Sequence, residues 1–485
     1  MNMKRVALHN LGCKVNSYEM DVMQHKLREK GYEIVSFDSE ADIYVVNTCT
    51  VTNMADRKSR QMLHRAKAMN PEAVVVAVGC YVQTGGEQAL ADGSIDLAIG
   101  NNRKKDIVPI LEAYLAEREK RVGQKTQVEQ VKPAGQKYTD KTLQHTTIID
   151  VNHSCDYEEM TLKQTAEHTR AYIKIQDGCN QFCSYCIIPF ARGRVRSRRA
   201  EDVLKEIEGI VEAGYQEVVL TGIHISSYGI DFEDEAWRQG RSVDTIKEEG
   251  RHDYRGRSKL IDLVEMIHGI EGLRRIRLGS LEPRIVTAEN AFRLATLKKV
   301  CPHFHLSLQS GCDATLKRMN RHYTAGEYLE SVMHLRKVYD QPAITTDVIV
   351  GFPGETEAEF EQTCEFLERI RFYEMHIFKY SKRQGTRAAA MKEQVPEPVK
   401  TARSNRLLAM EKEQSADFRS RYIGEKAEVL FEETKELSGE IYQVGHTKDY
   451  VKIALKTREE LSNCLKTVRI ERFLTDEILE GTFLD

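Results

Sequence analysis

The chain has 485 residues and a mass of 55.6 kDa, with 41% apolar and 30% charged residues. That is room for about three domains at roughly 150 residues each, and the apolar content excludes wholesale disorder. Net charge is −3 and the pI about 6.6, so a nucleic-acid role would have to come from local patches. The longest apolar run, Ala73–Val78, is strand-sized and far short of the roughly 18 residues that cross a bilayer. The start, MNMKRVALHN, lacks the apolar core of a signal peptide. The expectation is a cytoplasmic protein with no membrane partner.

Strands are expected at Arg5–His9, Glu33–Phe37, Ile43–Val46, Val74–Val78 and Leu97–Ile99, with helices at Tyr18–Lys30 and Ala55–Met69. Strands this apolar fit a parallel sheet covered on both faces, so residues 1–116 read as an open α/β domain. Residues 117–169 are rich in Lys, Gln, Thr and Glu and read as a polar linker with one short strand at Thr147–Val151. A second alternating series fills residues 170–422. Its strands are Ala171–Gln176, Glu217–Thr221, Arg274–Gly279, Phe304–Leu308, Ile344–Val350 and Met375–Tyr380. Helices Ala200–Ala213, Leu260–Ile267, Ala314–Met319, Ala325–Tyr339 and Glu357–Ile370 separate most of them. This is the pattern of a partial (β/α)6 barrel, with its site at the carboxyl ends of the strands. Phe232–Arg257 reads as a charged surface insertion carrying the single Trp, Trp237. After a helix at about Val399–Tyr422, residues 423–485 read as a small all-β barrel with strands in AEVLFEE, YVKIAL and KTVRIERF.

Eleven cysteines in such a chain favour metal or catalytic roles over disulfides. Cys179, Cys183 and Cys186 form C-x3-C-x2-C just after a strand. Three thiolates leave one metal position open, whereas structural zinc prefers four closed ligands. A zinc or purely structural cluster is the alternative. Cys13, Cys49 and Cys80 lie far apart, yet each follows an apolar strand. Strand ends of a parallel sheet lie together, so these three can converge on a second site, the alternative being three unrelated buried thiols. Cys155, Cys301, Cys312, Cys364 and Cys464 share no context and read as ordinary thiols.

The C-x3-C-x2-C loop with Tyr185 before its last cysteine, at the head of a six-stranded βα barrel, resembles the radical S-adenosylmethionine superfamily. The resemblance implies a [4Fe-4S] cluster on Cys179, Cys183 and Cys186, whose open iron binds S-adenosylmethionine and cleaves it to a 5′-deoxyadenosyl radical. It also implies cofactor contacts at Tyr185, at Thr221–Gly222, at Ser280 and Glu282, at Gln309, and at Gly351 and Gly354 in GFPGET. With the Cys13, Cys49, Cys80 triad, FKYSKRQGTRAA and a TRAM-like end domain, nearly the whole chain resembles the radical S-adenosylmethionine methylthiotransferases. An auxiliary [4Fe-4S] cluster on the second triad is then implied, together with an external electron donor and sulfur source. LGCKVNSYE, NTCTVTNMADRKSRQ and TGIHISSYG resemble the branch that modifies N6-threonylcarbamoyladenosine at carbon 2. Its substrate is the tRNA anticodon region, at adenosine 37. Branches acting on isopentenyladenosine in tRNA or on a ribosomal-protein aspartate are the alternatives, and a non-catalytic iron–sulfur RNA-binding or redox protein is the alternative from another class.

Two basic runs offer RNA contacts beside the expected sites. Arg57, Lys58, Arg60, Arg65 and Lys67 follow Cys49, and Arg192, Arg194, Arg196, Arg198 and Arg199 follow Cys186. A solvated charged face or cofactor-carboxylate contacts are the other readings. Residues 423–485 hold nine Lys and Arg against fourteen Asp and Glu. RNA binding there would need a local patch such as Lys448, Lys452, Lys466 and Arg469. His224 and His305, near strand ends, read as core or surface histidines. Oligomeric state is not legible.

Overall fold

The computed structural model describes residues 3–129, 145–152, 156–162, 169–232 and 258–484. The insertion expected at 232–257 and Cys155 therefore lie almost wholly outside the described residues. The chain divides into two compact units. One comprises Met1–Ala166, Asp177–Cys179 and Cys186–Arg196, and the other Glu167–Gln176, Asn180–Tyr185 and Ser197–Asp485.

The first unit is a six-stranded sheet. Its strands are β1 (Arg5–Asn10), β2 (Glu33–Val35), β3 (Ile43–Thr48), β4 (Val74–Gly79), β5 (Leu97–Ile99) and β6 (His145–Thr147), in the order β2-β1-β3-β4-β5-β6. Every pairing is parallel. All residues of β3 and β4 are buried, which only a sheet covered on both faces allows. Helix Asn53–Met69 is capped by Thr52, whose hydroxyl accepts from Ala55 N, and it buries Leu63 and Ala66 against Tyr44, Val46 and Val75. Each such buried aliphatic side chain contributes about 1.5–3 kcal/mol.

Two expectations shift here. Helix Ile107–Glu129 runs well past residue 116, and β6 sits two residues earlier than the strand expected at Thr147–Val151, pairing with β5. The polar stretch hides this because its apolar residues are buried singly, without a period: Val151, Met160 and Leu162 are buried, and Tyr18 donates to Met160 O. The first helix also begins at Lys14 rather than Tyr18, directly after Cys13.

In the second unit, parallel strands Ala171–Lys174, Glu217–Thr221 and Arg275–Leu278 form one three-stranded sheet. His303–His305, Ala343–Val350 and Glu374–Lys379 form another. Single bridges Ile276–Val300 and Leu281–Leu306 join them into a partial barrel. Helix Ala288–Thr296, between the third and fourth strands, was not legible: it is short, and Phe292 on it is exposed. Capping boxes at Thr324/Glu327 and Thr356/Glu359 start two of the other helices.

The end domain is a closed five-stranded barrel of Lys426–Leu437, Glu440–His446, Lys452–Lys456, Leu465–Phe473 and Ile478–Phe483. Two of these strands were missed. Both carry a glycine that weakens a strand pattern; a Cβ on Gly445 would stand 2.2 Å from Leu430 O, so the glycine marks a close backbone approach. Arg275 and Arg277 in the third barrel strand are fully buried and donate to this domain, Arg275 to His446 O (3.0 Å) and Arg277 to Lys448 O (2.9 Å). The Tyr450 ring lies between Arg170 and Arg277, 4.9 and 4.8 Å from their guanidinium carbons. Part of the domain's acidity serves this docking: Glu428 pairs with Arg275 and Glu432 with Arg170.

Glu217 is the buried carboxylate beneath this junction, accepting from Arg277 Nε at 2.8 Å. Burial pushes its carboxyl up, but Arg277, with Arg170 and Arg275, outweighs burial and holds it below its ordinary value. A depressed carboxyl contributes stability that is full above its ordinary pKa and is lost as pH falls through the folded value. Glu217→Gln leaves Arg277 buried without its carboxylate and is expected to cost about 3 kcal/mol in urea unfolding. The gap between parent and variant should narrow on acidification; a gap that stays constant below the ordinary carboxylate range refutes the assignment.

Candidate metal centres

The carboxyl ends of β1, β3 and β4 are in register: Asn10 pairs with Asn47, and Thr48 with Gly79. Cys13, Cys49 and Cys80 follow those ends and are brought together. A Cβ on Gly12, whose φ is +105°, would stand 3.1 Å from Cys49 Sγ, so this position needs glycine twice over. Ser59 fixes the Cys49 backbone by accepting from its N (3.1 Å) and donating to its O (3.0 Å). Asn101 Nδ2 donates to Cys80 Sγ at 3.4 Å. Burial pushes the Cys49 thiol up to about 11. Cys13 keeps solvent access at one edge, yet the packed protein around it raises its thiol as well.

Sulfur spacing bears on what these thiols can hold. Among the described residues, only His305, Asp347 and His376 bring three ligand atoms within 4.8 Å of one another. At least one pair of the three sulfurs therefore lies more than 4.8 Å apart, wider than the roughly 3.8 Å expected around one tetrahedral zinc with 2.3 Å bonds. An all-thiolate set of three at wider spacing fits an iron–sulfur cluster with one iron left open.

The second cysteine loop is held at both ends. In the first unit, Cys179 N donates to Gly193 O at 3.0 Å, and a Cβ on Gly178 (φ +71°) would stand 1.8 Å from Arg194 O. In the second unit, Phe182 adopts φ +48°, and Asn320 Nδ2 donates to its carbonyl at 3.0 Å. Ser184 bonds Met319 O through its N and Arg318 O through its hydroxyl, and Tyr185 packs on Phe352. Arg321 Nη1 lies 3.2 Å from Cys183 Sγ. Arg321 was not foreseen; it sits in an unremarkable MNRHY stretch 138 residues away.

Of the barrel residues expected at the cofactor, Thr221 and Gln309 are buried near strand ends, Gln309 with φ +71°. Ser280 and Ser307 share a 2.9 Å hydroxyl contact that links the third and fourth strand ends. Glu282 is buried and accepts from Arg284 Nε at 2.6 Å. A Cβ on Gly222 would stand 2.9 Å from Gln176 Oε1. Gly351 and Gly354 take positive φ, +70° and +79°. A Cβ on Gly351 would stand 2.3 Å from Lys400 Cγ, and one on Gly354 2.9 Å from Glu393 Oε2, so packing at Gly351 and backbone conformation at both positions call for glycine. His224 is half-buried, its Nδ1 2.7 Å from Ser227 Oγ. His305 instead faces Asp347, Nε2 to Oδ2 at 3.4 Å, with His376 stacked 5.9 Å away, a grouping that only strand pairing creates.

The basic runs separate. Arg192, Arg194, Arg196 and Arg198 are buried and cannot meet RNA phosphates: Arg192 and Arg196 face Asp177, and Arg198 pairs with Glu206. Their run of charge looks solvated because the matching carboxylates are remote in sequence or hidden in a helix. Arg57, Lys58 and Arg60 remain exposed on helix Asn53–Met69, beside exposed Val51 and Met54. Arg65 and Lys67 are engaged by Asp38 and Asp96. Lys452, Lys466 and Arg469 of the end domain are exposed, and Lys448 is half-buried.

Residues 5–100 match the model of an uncharacterised protein family, UPF0004, and residues 173–367 that of the radical SAM superfamily. The chain is 38% identical to the threonylcarbamoyladenosine tRNA methylthiotransferase MtaB of Bacillus subtilis, over 96% of this chain and 94% of that one. The MtaB protein of Aquifex aeolicus is 37% identical over 90% and 95%. A tRNA-2-methylthio-N(6)-dimethylallyladenosine synthase of Moorella thermoacetica is 32% identical over 98% and 97%. The chain belongs to the radical SAM methylthiotransferase family. This methylthiotransferase uses two [4Fe-4S] clusters and S-adenosylmethionine. Among its described residues, no helix is long and apolar enough to cross a membrane.

Gly178→Ala is expected to displace the Cys179 end of its loop, since the added carbon meets a backbone carbonyl. Reconstituted with iron and sulfide, the variant should hold less iron than the parent while keeping its secondary structure by circular dichroism. Full iron loading would show that the loop tolerates the shift.

Proposed function

We propose that this methylthiotransferase places a methylthio group on carbon 2 of N6-threonylcarbamoyladenosine at adenosine 37, in the anticodon region of tRNA. The observation that carries this is the full-length likeness to the Bacillus subtilis enzyme, set beside two separate three-cysteine sites in one chain. Cys179, Cys183 and Cys186 hold the radical-generating cluster, and Cys13, Cys49 and Cys80 hold the auxiliary one. When bound, the first cluster with S-adenosylmethionine supplies the radical, and the second carries the sulfur to be transferred.

The protein's own residues hold and shield. Thr221, Ser280, Glu282 and Gln309 line the strand ends where the cofactor is expected, and Tyr185 braces the cysteine loop against Phe352. Arg321 touches Cys183 and offsets thiolate charge there. Carbon 2 of the base bears no group that a general base could usefully ionise, so no acid–base pair is required. An external reductant and a sulfur donor complete the reaction.

Two measurements test the assignment. In tRNA from cells lacking the gene, mass spectrometry should show 2-methylthio-N6-threonylcarbamoyladenosine lost and its unthiolated precursor retained. An unchanged profile in a cell with no second such enzyme discards the tRNA substrate. Cys183→Ala should abolish S-adenosylmethionine cleavage, whereas Cys49→Ala should retain uncoupled cleavage and form no thiolated product. Full product from the Cys49 variant discards the auxiliary site.

Arg57, Lys58 and Arg60 are the exposed cations nearest the Cys49 loop in sequence and supply phosphate contacts. Changing all three to Gln should weaken tRNA binding across sequences. The slope of log K against log salt should flatten by roughly 0.7–0.9 per lost phosphate contact. An unaltered slope would place the RNA elsewhere.

A further inference from the structure

Beside the Cys13, Cys49, Cys80 edge lies a buried ionic network. Arg192 is fully buried, and its Nη1 lies 2.8 Å from Glu19 Oε1 and 3.1 Å from Asp177 Oδ2. Its Nη2 donates to Asn16 Oδ1 at 2.6 Å. Lys104, also fully buried, reaches Glu19 Oε2 at 2.5 Å and Asn47 Oδ1 at 3.2 Å. Arg196 stands 3.8 Å from Asp177. Three cations in this network thus face two carboxylates.

The network abuts the cysteines. Asn16 Nδ2 lies 3.1 Å from the point where a Cβ on Gly12 would stand, and that point is 3.1 Å from Cys49 Sγ. Lys104 Nζ lies 3.3 Å from the equivalent point on Gly79, the residue before Cys80. Asn101 joins Cys80 Sγ (3.4 Å) to the carbonyl of Ala191 (2.7 Å), the neighbour of Arg192. An uncompensated buried cation is costly, and a negatively charged centre held at this edge would offset it.

We propose that Arg192 and Lys104 are positioning residues for the auxiliary centre: their surplus positive charge beside the Cys13, Cys49, Cys80 edge raises the one-electron reduction potential of the cluster that these cysteines would carry. The inference rests on the reading of these cysteines as cluster ligands. A fixed positive charge favours the reduced, more negative cluster over the oxidised one. Glu19 acts in the opposite sense, since it offsets both cations.

The test uses the full chain with Cys179, Cys183 and Cys186 all changed to Ala, so that one cluster remains. Reconstituted protein is titrated with dithionite, which donates one electron per cluster, and followed by electron paramagnetic resonance. Iron release to a chelator is timed in parallel. Arg192→Gln should lower the potential and speed iron release about tenfold. Lys104→Gln should do the same and replaces the first variant if that one does not fold. Glu19→Gln should move the potential the other way, and Arg192→Lys should stay near the parent. A purely structural role predicts weaker iron retention without opposite potential shifts. Shifts of one sign in the Gln variants of Arg192, or Lys104 in its place, and Glu19, or none, overturn the inference. Failure of the cysteine-substituted parent to bind iron and sulfide overturns the ligand reading itself.

Discussion

Parallel pairing of β3 with β1 and β4 is the constraint on which the auxiliary site depends. Because all three strands run the same way and end in register, their following residues emerge at one edge. Cysteines separated by tens of residues then need no long-range coordination beyond the sheet's own hydrogen bonds. The edge is crowded: Asn47 Nδ2 donates to Asn16 O at 2.9 Å, and Thr48 Oγ1 donates to Val78 O at 2.6 Å. Such side chains satisfy the backbone groups left where the ladder stops. Gly12 and Gly79, both with positive φ, are the turns that this crowding leaves room for.

Charge in this protein is organised inward as well as outward. Arg192, Arg196, Arg198, Arg275 and Arg277 are among the largest fully buried side chains, and each has a carboxylate within 4 Å. A buried ion pair adds little net stability over an apolar replacement, but removing one partner is costly. The arrangement therefore fixes geometry more than it adds stability. In the first unit it fixes the floor of the thiol edge. In the second it fixes the junction between the partial barrel and the closed end barrel, where Glu428 and Glu432 answer arginines of the larger domain. The net negative charge of the end domain, at odds with an RNA-gripping module when taken as a sum, has this partly structural origin.

The sequence by itself determined the architecture and the six cysteines. Apolar strands such as Val74–Val78 can only be interior, and the C-x3-C-x2-C spacing is a local pattern that the chain displays by itself. Each cysteine of the other triad could be placed at a strand end, because strand and turn are local properties. What only the tertiary structure decided was the environment of charges and small residues. Arg192 and Arg60 look alike in sequence, and burial beside Glu19 and Asp177 makes one a floor while the other stays in solvent. A Cβ on Gly351 would stand 2.3 Å from Lys400 Cγ, a neighbour 49 residues away. His305, Asp347 and His376 come from three strands, and Arg321 reaches Cys183 across 138 residues. Partners remote along the chain are set by packing, and no local pattern of residues carries that information.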